Sequence, residues 1–238
     1  MAKHKSAKHG KLKVFVCPKC GIRSVNAISR EINKLFSTKD QSKIFNTSTS
    51  ILIWRDPYNR LLSGYLNKYI EHNKYIGSRL KQFDTFEKFV REIKKHGIGI
   101  LDHLHFTCQV DQLNLKKHKI DTFFAVKDMC KYITYINDLI KRAGYGNRLL
   151  DLEVGIHRGG KKQLRIPNRN IIHNTPVEGA WKLTRNKLKT LISDSNKKNQ
   201  SVLPPYDSFY NNELRLIVRE SYKTDFSYLE SNGVLKKP

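Results

Sequence analysis

The sequence predicts an α/β fold with a central, mostly parallel sheet flanked by helices. Three observations predict it. Short apolar runs alternate with longer segments whose apolar residues recur at helical spacing. Two of the short runs pass through a turn directly into such a segment, which is strand, turn, helix. A third, near residue 120, does the same.

The first unit opens with "LKVFVC" (12–17), a short buried strand. The turn "PKCGIRS" follows, then "SVNAISREINKLF", with Val25, Ile28, Ile32 and Leu35 along one helical face. The second unit begins with "SILIW" (50–54). Asp56 is placed to cap a helix, with Pro57 at its first position, where the missing N–H costs nothing. Leu61, Leu62, Tyr65, Leu66 and Tyr69 form the stripe of that helix. Asp84 is expected to cap "TFEKFVREIKKHG", which stops at Gly97 with basic residues in its last turn. "IDTFFAV" (120–126) is the third strand, and "KDMCKYITYINDLIKRAG" is a helix closed by Gly144. Residues 145–205 are rich in Gly, Asn, Arg and Lys; they hold short strands around "LEVGI", a helix near "GAWKLTRNKLKTLI" and the loop "SNKKNQSVLPP". "DSFYNNELRLIVRESYKTDFSYL" reads as one closing amphipathic helix, with Tyr210, Leu214, Ile217, Val218 and Ser221 on one face. No internal repeat is visible. The expected organisation is a basic disordered tail over 1–11 and a single domain over 12–238.

The formal net charge of +24 on 238 residues calls for an anionic partner. Nucleic acid, an acidic polysaccharide, a phosphorylated cofactor and a membrane surface all qualify. The plain alternative is a surface that only keeps the chain soluble. Residues 1–13 hold five Lys, two His and no acid, so most of the charge lies elsewhere. No run of 18 apolar residues encodes a transmembrane helix, and no apolar stretch follows the basic N-terminus as a signal peptide requires. A soluble protein is expected, unless an anchor is removed from a longer precursor. Cys17, Cys20, Cys108 and Cys130 do not space as a disulfide framework, so a reducing compartment is the default.

Cys17-Pro-Lys-Cys20 admits two chemistries. A structural zinc needs four ligands, usually in two close pairs, and no second pair follows at ribbon spacing. A thioredoxin-like pair would want a shorter, less charged chain. The other chemistry is phosphate binding. A turn between a strand and a helix N-terminus presents backbone N–H groups and the positive end of the helix dipole. Lys19 adds a mobile charge, Gly21 allows close approach and Ser24 offers a hydroxyl. The spacing is not that of a Walker A loop. In the second unit, Arg55 closes the strand and Ser63 lies on the helix; an Arg and a Ser so placed can grip one anionic group. A local ion-pair cluster of Arg55, Asp56 and Arg60 is the bland alternative.

"PKCGIRS" after one strand and "RDPYNRLLSGY" after the next together resemble the carbohydrate-type (Golgi-type) sulfotransferases, which use 3'-phosphoadenosine-5'-phosphosulfate (PAPS). The family's P-K-x-[GA]-[ST]-[TN] motif is matched by Pro18, Lys19 and Gly21. Ile22 and Arg23 stand where small hydroxyl residues are usual; Ser24 can take over one hydroxyl contact and Arg23 adds a charge. The family's R-D-P-x-x-R-x-x-S motif is matched in full by Arg55, Asp56, Pro57, Arg60 and Ser63. "DHLHFTCQ" is similar to D-x-H-W-x-P-Q, with Asp102, His105 and Gln109 in register, Phe106 for Trp and Cys108 for Pro. "IDTFFAVKDM" resembles a further family strand, with Asp128 near the usual Glu. Tyr206, Tyr210, Glu213, Leu214, Val218, Tyr222, Asp225 and Phe226 match the family's C-terminal pattern. The resemblance runs from about 12 to 230 and is poorest over 145–205.

It implies a P-loop-like nucleotide-binding fold and transfer of a sulfuryl group to an acceptor hydroxyl, with adenosine 3',5'-bisphosphate as product. Pro18, Lys19, Cys20, Gly21, Ile22, Arg23, Ser24 and Val25 would hold the 5' end of the cofactor, and Arg55 and Ser63 its 3'-phosphate. Lys19 would neutralise charge on the leaving phosphate oxygen. His105 is the first choice for general base and His103 the second; Glu87 and Asp102 are further candidates. His157 and His173 would touch cofactor or acceptor, and "HRGGKK" (157–162) is a lid, an acceptor loop or plain surface. No metal is required, and the two cysteines become bystanders. The acceptor would be a glycan, acidic or neutral, with a small metabolite or a protein tyrosine as alternatives. No specific nucleic acid is expected. The expected place is the cytoplasm of a bacterial or viral system, or the Golgi lumen if an anchor is removed. The competing functions are an ATP-using kinase-like enzyme and a basic zinc protein that binds nucleic acid.

Overall fold

The computed structural model describes residues 6–71, 83–101, 104–152, 154–155, 164–165, 179–198 and 203–236. Asp102, His103, His157, His173 and the 157–162 stretch lie outside them. The chain divides into two compact units, Met1–Arg55 with Gln109–Asn168, and Asp56–Cys108 with Arg169–Pro238.

The first unit carries the sheet. Its strands are β1 (Ser6–His9), β2 (Leu12–Val16), β3 (Thr49–Trp54) and β4 (Thr122–Ala125), in the spatial order β1-β2-β3-β4. β2, β3 and β4 are parallel: Val14 pairs with Ile51, and Ile53 with Phe124. β2 is connected to β3 through α1 (Ile22–Leu35) and α2 (Thr38–Ile44), the short α5 (Gln109–Gln112) precedes β4, and β4 leads into α6 (Met129–Arg142). This is the predicted α/β class. Val25, Ile28 and Ile32 of α1 are buried, as are Tyr132, Ile136 and Ile140 of α6. Ser37 and Asp40 cap α2 reciprocally, with side chain bonded to backbone in both directions.

The tail assignment needs correction. Residues 6–9, expected in a disordered tail, form β1, antiparallel to β2. The reversal depends on Gly10, whose φ of 53° lies in the left-handed region. A Cβ there would stand 2.7 Å from the Gln41 carbonyl oxygen. His9 is buried and bonds Gln41 through Nδ1 (3.0 Å) and Ser29 through Nε2 (3.1 Å). Burial lowers the pKa of its imidazole, partly offset by the Gln41 bond. A run of lysines hides one partnered histidine from a reading by composition. Two short strands, β5 (Val154–Gly155) and β6 (Leu164–Arg165), pair in parallel in the same unit.

The second unit is helical around an aromatic core. It contains α3 (Pro57–Tyr65), which runs into a π-helical turn (Leu66–Glu71), then α4 (Phe86–His96), α7 (Arg185–Lys198), α8 (Asn212–Ser221) and α9 (Lys223–Ser231). Tyr65, Tyr69, Phe86, Phe89, Phe106 and Phe209 pack together with the rest of this core. Two expectations fail in detail. Thr85, not Asp84, caps α4: its hydroxyl accepts from the Lys88 N–H at 3.2 Å, while Asp84 pairs with the Lys88 ammonium. The closing helix is two helices, because Tyr222 leaves helical geometry (φ −109°, ψ 25°) and donates its hydroxyl to the Phe106 carbonyl at 2.6 Å. Tyr210 precedes α8, and Asn211 caps it by accepting from the Leu214 N–H.

Candidate active site

The turn after β2 and the N-terminus of α1 form a cradle suited to an anion. Gly21 stands at the N-cap with φ 84° and offers no side chain to cap the helix, and no acid stands in the first turn. The positive end of this 14-residue helix therefore carries no side-chain cap and no acidic group. A Cβ on Gly21 would lie 2.9 Å from both Val126 Cγ2 and Met129 Cε, so glycine is needed for the conformation and for the approach to the start of α6. Lys19 also has a left-handed backbone, φ 68°. This costs a non-glycine residue about 1 kcal/mol or more, and it marks the turn as set by its surroundings.

Those surroundings are Arg55 and Gln109. Arg55 follows β3 and is nine-tenths buried. Its Nη1 donates to the Lys19 carbonyl at 3.2 Å, so two residues 36 apart in sequence meet. The side-chain amide of Gln109 brackets the Arg55 backbone: Oε1 accepts the Arg55 N–H at 3.1 Å and Nε2 donates to the Arg55 carbonyl at 2.8 Å. The same Oε1 accepts the Cys20 thiol at 2.9 Å. Cys20 is therefore no bystander. Cys17 donates to Cys20, sulfur to sulfur, at 3.2 Å. Among the described residues no group of three or more His, Cys, Asp or Glu could hold a metal ion.

The remaining residues of the turn divide by burial. Arg23 is exposed; Pro18, Lys19 and Ile22 are half-buried. Ser24 and Val25 are fully buried. The Val25 N–H donates to the Gly21 carbonyl at 3.0 Å, which takes it out of the set of donors expected to meet a phosphate.

In the second unit, Asp56 caps α3 by accepting from the Asn59 N–H at 3.0 Å, with Pro57 at the first position. Arg60 is fully buried, and its guanidinium donates to the carbonyls of Thr107 (2.6 Å) and Leu104 (3.1 Å). Gly64 lets the Phe106 ring approach; a Cβ there would stand 2.6 Å from the ring. The 104–107 stretch is thus held by Arg60, Gly64 and Tyr222, and it carries His105, which is half-buried. Ser63 is half-buried on α3. Glu87, a weaker candidate for base, is engaged by Arg91, which also bonds Glu213 of α8. Gln109 and Arg60 both stand inside motifs that the sequence displays, but what each does is not visible there. Their side chains bond backbone, which a motif does not display.

Comparison with curated proteins and with solved structures finds no match. The model of the sulfotransferase family matches residues 21–230. That span includes the whole Arg55–Ser63 motif and begins just after Lys19. The chain belongs to the sulfotransferase family.

Proposed function

We propose that the chain transfers a sulfuryl group from PAPS to a hydroxyl, on a carbohydrate. The observation that carries this reading is the bond from the Arg55 guanidinium to the Lys19 carbonyl. It joins the two stretches that the family uses for the two phosphate ends of the cofactor. The residues present fit that group: an uncapped helix N-terminus without acid, a lysine in the turn and an arginine at the end of the next strand.

The cofactor would supply the activated sulfuryl group. Lys19 would place a positive charge where the leaving phosphate oxygen gains negative charge, and backbone N–H groups of residues 21–24 would receive the 5'-phosphate. Arg55 and Ser63 would engage the 3'-phosphate, as the family motif implies. His105 would take the proton from the acceptor hydroxyl as it attacks. The chain's net charge of +24 suits an acidic glycan among carbohydrate acceptors.

The test is thermal stabilisation by adenosine 3',5'-bisphosphate against ATP at equal concentration. Ligands that bind only the folded state raise the melting temperature by mass action. The bisphosphate should raise it by several degrees and ATP by less. Stabilisation by ATP alone would replace this reading with the kinase-like one.

A further inference from the structure

We infer that Gln109 is a positioning residue that couples the turn at Lys19 to Arg55 and so sets the grip on the 3'-phosphate. The inference rests on the cofactor reading above. Arg55 is the first residue beyond β3, where ladder pairing with β4 ends at Trp54 and Ala125. Its N–H and carbonyl are both engaged by one side chain, which takes the place of a neighbouring strand. The direction of the Arg55 side chain follows from this backbone. Its guanidinium then reaches the Lys19 carbonyl, and the next residue, Cys20, returns a thiol hydrogen bond to Gln109. The bonds close a ring: Gln109, Arg55 backbone, Arg55 guanidinium, Lys19, Cys20 and Gln109 again.

Gln109 is itself buried, at 3% exposure, and its amide makes all three bonds inside the first unit. Removing it leaves the Arg55 backbone without these partners at a buried site, and the guanidinium loses its aim. A group in such a network acts through the others, so its deletion is not additive with theirs. It does not itself touch the reacting atoms.

The experiment measures dissociation constants of adenosine 3',5'-bisphosphate and adenosine 5'-monophosphate by calorimetry, well below the melting temperature. The ratio of the monophosphate's constant to the bisphosphate's reports what the 3'-phosphate adds. Gln109→Ala should lower that ratio by about tenfold, the scale of one lost charge-linked hydrogen bond. Arg55→Ala should lower it at least as far, and the double variant no further than Arg55→Ala alone. A purely structural glutamine would lower the melting temperature and leave the ratio unchanged, which overturns the inference. Losses that simply add in the double variant also overturn it. If Gln109→Ala does not fold, Gln109→Glu serves. It keeps the size, loses the donor to the Arg55 carbonyl and sets a negative charge against that carbonyl, so the ratio must fall there too. An unchanged ratio in that variant is again fatal. Failure of the unsubstituted chain to bind either nucleotide overturns the cofactor reading itself.

Discussion

Lys19 combines a charge with a strained backbone, and the two can be separated. Its φ of 68° favours glycine, while its proposed role needs an ammonium. Lys19→Ala and Lys19→Gly both remove the charge, but only the second relieves the backbone. Each should lower kcat/KM for sulfuryl transfer by about a hundredfold or more, the scale of one lost electrostatic contact in a transition state. The glycine variant should be more stable than the alanine variant by about 1 kcal/mol, read by urea denaturation. Full transfer in either variant would remove Lys19 from the mechanism. Equal stability of the two would mean that the turn is not strained at this residue.

The elements that present the site depend on close approaches that residue types alone do not reveal. On α3, Gly64 faces the Phe106 ring, and Arg60 holds the carbonyls on either side of that ring. Gly64→Ala improves helix propensity by up to about 1 kcal/mol, yet puts a methyl group 2.6 Å from a ring that is 2% exposed. Overpacking at such a place costs about 1–3 kcal/mol, so the net effect is destabilising. The urea midpoint should fall, and a midpoint that rises would show that the ring can move aside. This contrast explains what the sequence disclosed. β2, β3, β4, α1, α3 and α6 were legible because each carries its own apolar period and its own turn or cap residues. Asp56 and Pro57 told where α3 starts for the same local reason. β1 was missed because its strand character comes from a glycine turn and a buried His9 bonded to Ser29 and Gln41, both distant in sequence. The break at Tyr222 was missed because the backbone turns there (φ −109°, ψ 25°) with no Gly or Pro to mark it. Lys19 and Arg55 were legible as members of motifs, whereas Gln109 works through backbone groups that no motif spells out.

At the scale of the whole molecule, the excess of positive charge bears on the acceptor. Lys and Arg number 45 against 21 Asp and Glu. PAPS is itself anionic, so the charge does not by itself distinguish an acidic glycan from a neutral one. Salt dependence at saturating PAPS does, because the cofactor's own encounter then drops out of the comparison. Long-range attraction is screened over about 10 Å at 0.1 M salt and about 3 Å at 1 M. A field that gathers an acidic acceptor raises its capture by about tenfold or more, and this gain is lost as the screening length shrinks. Across that salt range, kcat/KM for a carboxylated or already sulfated glycan should fall by about tenfold. For a neutral glycan of the same length it should change by less than about twofold. Equal salt dependence for the two would assign the charge to the cofactor and to solubility, and the neutral glycan would then be the better candidate acceptor.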